Sequence, residues 1–138
     1  FTATQPETER TLPAAWLAEA ARRGLPVSVS HGIISEPLDL RQAAVTNRFR
    51  LHHCVLKQSA DAAFAVFEQG FDFTDSEFAA DADFTGAVAR RAALLRGTTF
   101  AGLAVFTDAT AEDVLLAHGA AFLGLGRKDE VNLALRHD

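Results

Sequence analysis

The sequence contains no methionine, one tryptophan, one cysteine and four prolines in 138 residues. A single cysteine excludes an internal disulfide, so the fold has to stand on packing rather than on covalent staples. Without methionine, the leading Phe1 is not an initiator, and the chain reads as a processed product or a piece of something longer. No apolar run approaches the roughly 20 residues that span a bilayer, and no secretory signal pattern opens the chain. Both absences point to the cytoplasm. Bases are also in deficit, with 13 Lys and Arg against 18 Asp and Glu. That balance argues against direct nucleic-acid binding, which needs a basic footprint. The remaining composition, 49% hydrophobic and 22% charged, is that of a folded domain with enough chain to bury a core.

What the sequence does contain is a repeat. Leu40, Val45, Leu51, Leu56, Ala62, Phe67, Phe73, Phe78, Phe84, Ala89, Leu95, Phe100, Phe106, Ala111, Ala117 and Phe122 follow one another in alternating steps of five and six, and all are apolar. Two residues before each stands a second set of small or apolar side chains: Leu38, Ala43, Phe49, Cys54, Ala60, Ala65, Phe71, Ser76, Ala82, Ala87, Ala93, Thr98, Ala104, Ala109, Leu115 and Ala120.

An 11-residue period suits either a helix of about three turns or extended backbone. In a helix, five residues rotate a side chain roughly 140° away, and positions two apart lie on opposite sides. The apolar set would then wrap the whole helix. In extended backbone, residues two apart share a face, so short pieces that place two side chains inward and then turn a corner fit every position. Four pieces close a rung of 22 residues. The stretch from Leu40 to Phe122 makes about four rungs, a rod roughly 20 Å long at the inter-strand spacing. The fold class is all-β, a four-sided parallel β-solenoid.

These residues resemble the pentapeptide-repeat family, in particular a branch whose repeats read F-x-x-A-x-F followed by a six-residue step. Phe84-Thr85-Gly86-Ala87-Val88-Ala89 and Phe106-Thr107-Asp108-Ala109-Thr110-Ala111 carry the pattern, and the resemblance covers about residues 36 to 122. It implies a right-handed quadrilateral β-helix. It departs from the family in its regular sixth residue and in Ala at several central positions.

The two ends differ. The segment from Thr11 to Gly24 reads as one helix, with Thr11 or a neighbour as cap, Pro13 in the first turn and Gly24 as the stop. Its expected role is to cap the first rung, with Trp16 over the mouth of the core. Val27-Ser28-Val29-Ser30 and Ile33-Ile34 lead into the repeat. After Gly124 a turn and an alternating strand, Val131 to Leu135, follow with no second helix. The organisation is therefore 1–10 a flexible N-terminus, 11–24 a capping helix, 25–124 the β-helix, and 125–138 a C-terminal turn and strand able to support association.

Seven acids fall between residues 61 and 83 (Asp61, Glu68, Asp72, Asp75, Glu77, Asp81 and Asp83), with no base between Lys57 and Arg90. Such a band is either a solvated surface paired between rungs or a patch for a partner. Outward positions near the end are apolar: Leu94, Leu103, Val105, Val114, Leu116, Leu123 and Leu125. A contiguous apolar patch marks an interface. The candidate partner-binding residues are Asp72, Asp75, Glu77, Asp81, Asp83, Leu103, Val114, Leu116 and Leu125.

His52-His53-Cys54 has the right side chains for a metal, but the register turns Cys54 inward and leaves the histidines at a corner, so no metal site is expected. No acid, base and nucleophile converge, and neither a catalytic residue nor a cofactor is expected. The functional expectation is a non-enzymatic scaffold or protein-binding module. It self-associates through its C-terminal end or joins a larger assembly, its partner being a protein or itself. The family resemblance implies an alternative, an acidic DNA mimic that binds a type II topoisomerase such as gyrase; a supercoiling assay without effect at micromolar protein would dismiss it.

Overall fold

Residues 22 apart in the sequence lie side by side. A computed structural model describes residues 1–124 and the strand Arg136–His137. It consists mainly of short parallel strands in stacked coils, a β-solenoid of about 5 turns. The strands form four sheets, each a wall of the coil. Wall 1 stacks Leu38–Asp39, Ala60–Asp61, Ala82–Asp83 and Ala104–Val105. Wall 2 stacks Ala44–Val45, Val66–Phe67, Val88–Ala89 and Thr110–Ala111, and Arg136–His137 pairs beyond the last of these. Wall 3 runs from Val27–Ser30 through Phe49–His52, Phe71–Asp72 and Ala93–Leu94 to Leu115–Leu116. Wall 4 begins at Thr11–Leu12 and Ile33–Ile34 and continues through Val55–Leu56, Glu77–Phe78 and Thr99–Phe100 to Ala121–Phe122. In chain order walls 1 and 3 are opposite, as are walls 2 and 4.

Two-residue strands cannot hydrogen-bond within their own rung, so the backbone pairs along the rod axis. Ala62 and Phe84 N–H donate forward, to the carbonyls of Asp83 and Val105 (both 2.7 Å). Val66 and Val88 N–H donate backward, to those of Ala43 and Ala65 (both 2.9 Å). Two of the four corners take residues in the left-handed region, and these recur rung after rung. One corner column is His31, His53, Asp75, Gly97 and Gly119, and another is Gln42, Phe64, Gly86 and Asp108, all at positive φ.

The central residues are buried from Leu40 through Ala111, and only the last two, Ala117 and Phe122, are half-buried. The stacking distance dictates how the rings meet. Along a wall, Phe78, Phe100 and Phe122 stack face to face with centroids 5.0 and 5.1 Å apart. Phe84 and Phe106 do the same at 5.1 Å. Across the core the rings meet edge-on, at 81° for Phe73 with Phe78 and 87° for Phe100 with Phe106. The edge-on contacts satisfy the ring quadrupole better than an eclipsed sandwich does.

Val27–Ser30 and Ile33–Ile34 join the coil as expected, pairing with Phe49–His52 and Val55–Leu56, and the coil reaches further back, because Thr11–Leu12 pairs with Ile33–Ile34. The helix is correspondingly shorter. Helix α1 is a single turn, Glu7–Arg10, inside the segment expected to be loose; Arg10 Nη1 donates to the His31 carbonyl and ties it down. Helix α2, Ala14–Arg22, packs on the first rung with Ala14, Leu17 and Ala21 buried. That stripe turns Trp16 away from the core mouth, 66% exposed. The cap also differs: Thr11 is in a strand, and the Glu36 carboxylate accepts the Ala14 N–H at 3.2 Å. Gly24, at φ +76°, ends the helix, with Leu25 N–H donating to the Ala20 carbonyl. The anticipated strand over 131–135 lies outside the described residues.

The core also contains polar groups that apolar patterning overlooks. Ser76, 1% exposed, accepts the Cys54 N–H at 3.0 Å and donates to the Leu51 carbonyl at 2.6 Å. One rung later, Thr98 donates to the Phe73 carbonyl at 2.7 Å. Ser76→Ala removes both bonds from a dry interior, where orphaned groups cost about 1–3 kcal/mol. Urea denaturation is expected to show a loss of that size, against a change within about 0.5 kcal/mol for the exposed Ser59→Ala.

Candidate functional site

A solenoid presents walls and corners, so its surface chemistry is set by the outward positions. On wall 1 these are Asp39, Asp61, Asp83 and Val105, in register. On wall 3, Arg50, Asp72, Leu94 and Leu116 follow one another. Wall 4 presents Val55, Glu77 and Thr99. Wall 2 presents Ala44, Val66, Val88 and Thr110, with no charge among them.

The acids of residues 61 to 83 are thus spread around the coil instead of forming one patch. Several have a backbone task. Asp39, Asp61, Asp72 and Asp83 each accept the N–H two residues on, from Arg41, Ala63, Thr74 and Thr85 respectively, which satisfies the chain as it enters a corner. Asp81 accepts the Leu103 N–H from the next rung at 3.0 Å. Asp75 sits in a corner column, 3.6 Å from His53. Glu77 is exposed on wall 4. Neighbouring bases reach across rungs: Arg41 lies 3.7 Å from Asp61, Arg50 3.9 Å from Asp72, and Arg90 3.4 Å from Glu68. Exposed pairs of this kind contribute little individually.

The apolar candidates divide in the same way. Leu94 and Leu116 are register neighbours on wall 3, with Val114 just before the latter. Leu103 and Val105 belong to wall 1 on the opposite side. All five are half-buried, whereas Leu123 is 62% exposed beside the last described strand of wall 4. Leu125 lies outside the described residues.

The histidines and the cysteine point three ways. His52 Nε2 is 2.7 Å from an Asp72 carboxylate oxygen, and the His53 ring stacks on His31 with centroids 4.8 Å apart. Cys54 faces the core, where burial pushes its thiol up to about 11, and it donates to the Val29 and His52 carbonyls. A protonated thiol at neutral pH is a poor nucleophile. Burial works against ionisation of Asp72, but hydrogen bonds from Thr74 and His52 outweigh it and hold the carboxyl below its ordinary range. The Arg41 side chain does the same for Asp39.

The Asp caps and the corner columns are invisible to a search for inward residues. Their signal is the 22-residue spacing itself: Asp39, Asp61 and Asp83, or His31, His53 and Asp75, are each one column. Compared with protein-family models, curated proteins and solved structures, the chain matches none. Among the described residues no helix is long and apolar enough to cross a membrane.

Burial, followed by the positive charge of His53, Arg10 and the N-terminal amine, lowers the His31 pKa. The unfolded chain therefore binds that proton more readily, so stability is full above the ordinary imidazole pKa and falls as pH drops toward the lowered value. His31→Asn keeps a residue that tolerates the left-handed corner. Chemical denaturation between pH 7 and 5.5 is expected to show a shallower loss of stability in this variant than in the wild type; equal slopes would contradict the role given to His31.

Proposed function

We propose that the chain is a non-enzymatic protein-binding module that associates through the C-terminal end of its solenoid, with a second copy or within a larger assembly. The observation that carries this reading is the unequal finish of the two ends. At the start, α2 lays Ala14, Leu17 and Ala21 on the first rung. At the other end, Leu115, Ala117 and Phe122 are half-exposed core residues. Among the described residues, the last strands of walls 1, 3 and 4 also have no further neighbour. An open edge of backbone N–H and C=O groups over an apolar core is a template for another chain. Resemblance to the pentapeptide-repeat family supports the reading, since solenoids act mainly by presenting surface.

The DNA-mimic alternative stands second because the acids circle the coil and several of them cap corners. Its best feature is the column Asp39, Asp61 and Asp83 on wall 1, but Arg41 lies against the first two, and Val105 ends the column.

Sedimentation equilibrium is expected to give a mass above the 14.8 kDa of one chain. Leu123→Arg, a substitution at an exposed position, is expected to weaken that association about tenfold or more without lowering thermal stability. A monodisperse monomer at all concentrations would refute the proposal.

A further inference from the structure

The second corner column contains an anomaly. Its members are Gln42, Phe64, Gly86 and Asp108, all at positive φ, with Phe64 at +58°. Gly fits that backbone without strain, and Asp is among the residues that tolerate it. A bulky aromatic is an outlier there, and sparsely populated backbone of this kind persists where the surroundings or a task require it. Phe64 is not held by the core, being 59% exposed. Its ring lies over Gly86, where an added Cβ would come within 2.5 Å of ring carbons.

Phe64 borders wall 2. From Ala44 to Thr110 this wall has no charged outward side chain, in contrast to Asp39, Asp61 and Asp83 on wall 1, Arg50 and Asp72 on wall 3, and Glu77 on wall 4. Its other border is an ion ladder, Arg90 reaching Glu68 at 3.4 Å and Glu112 at 2.8 Å. An apolar centre, an aromatic at the margin and a charged rim are the parts of a protein interface.

We propose that wall 2 pairs with wall 2 of a second copy, the rods running in opposite directions, and that Phe64 is retained for this contact. The charge order selects the register. A two-fold axis across the wall, midway between the rungs of Val66 and Val88, sets Val66 opposite Val88 of the second copy and Glu68 opposite its Arg90. The same operation sets Ala44 opposite Thr110, and Phe64 opposite Gly86, over which the second copy's own Phe64 ring lies, so that the two rings meet across the axis. A register centred on one rung would instead set Arg90 against Arg90. The wall is about four rungs tall, roughly 19 Å, which is small for an interface and places the pairing among weak associations. The pairing uses the rungs from Ala44 to Thr110, and the strand Arg136–His137 continues wall 2 beyond them.

The test is sedimentation equilibrium of the full chain up to about 0.5 mM, carried out in the Leu123→Arg background so that end-on association does not contribute. A concentration-dependent dimer is expected, weakened about tenfold or more by Val88→Arg. Arg90→Glu is expected to weaken it as well, and adding Glu68→Arg to restore it. Phe64→Asn, better suited to the corner, is expected to weaken pairing while the melting temperature stays level or rises. A monomer throughout would overturn the proposal. So would a dimer indifferent to Val88→Arg, or a Phe64→Asn variant that melts lower and pairs as before. If Leu123→Arg changes nothing in the parent chain while Val88→Arg dissociates it, the end-on reading fails and this one stands.

Discussion

The whole structure depends on backbone hydrogen bonds between residues one rung apart. A strand of two residues has no stability of its own; it persists because each wall residue finds its donors and acceptors in the rungs before and after. Those bonds fix the rung at 22 residues, since a shift of one position would turn inward side chains outward. They also fix the spacing of everything attached to the walls. Phenylalanines in register are brought close enough to stack, as Phe78, Phe100 and Phe122 do. Carboxylates in register become ladders, and the left-handed corners at His31 and Gln42 recur one rung on at His53 and Phe64. Core packing and surface chemistry are both consequences of one vertical repeat.

The walls are legible in the amino-acid sequence because of that repeat. Apolar residues at alternating five- and six-residue steps identify which side chains point in, and those from Leu40 to Ala111 are buried. The start of the coil is harder to read. Val27–Ser30 shows itself by alternation, but Thr11–Leu12 belongs to an incomplete first turn, where α2 intervenes and the spacing lapses. Trp16 suggests a plug because it is large and apolar, yet the helix buries the smaller stripe of Ala14, Leu17 and Ala21, which allows a close approach to the rung. Ser76 and Thr98 pass as small core residues although their hydroxyls serve carbonyls in the preceding rung. The surface is the least legible part. A linear run of acids suggests a patch, but a chain that turns every five or six residues distributes consecutive charges over all four sides.

That distribution decides which surfaces are available to a partner. Wall 1 spends its aspartates on corners, and wall 3 ties Asp72 to His52 and Arg50. The outward positions of wall 2 from Ala44 to Thr110 are left uncharged, with the Arg90 ladder to Glu68 and Glu112 along one border. The rigid walls hold their side chains at fixed intervals along the rod.

The register itself can be tested by cross-linking. Glu77 and Thr99 are outward neighbours on wall 4, so their Cα atoms lie about 4.8 Å apart, within disulfide range. In an α-helix the same 22 residues would separate them by about 33 Å. With Cys54 replaced by serine, Glu77→Cys combined with Thr99→Cys is expected to form an intrachain disulfide under mild oxidation, with the far-ultraviolet circular dichroism unchanged. Failure to close that bond in the folded chain, or closure only after unfolding, would contradict the 22-residue coil.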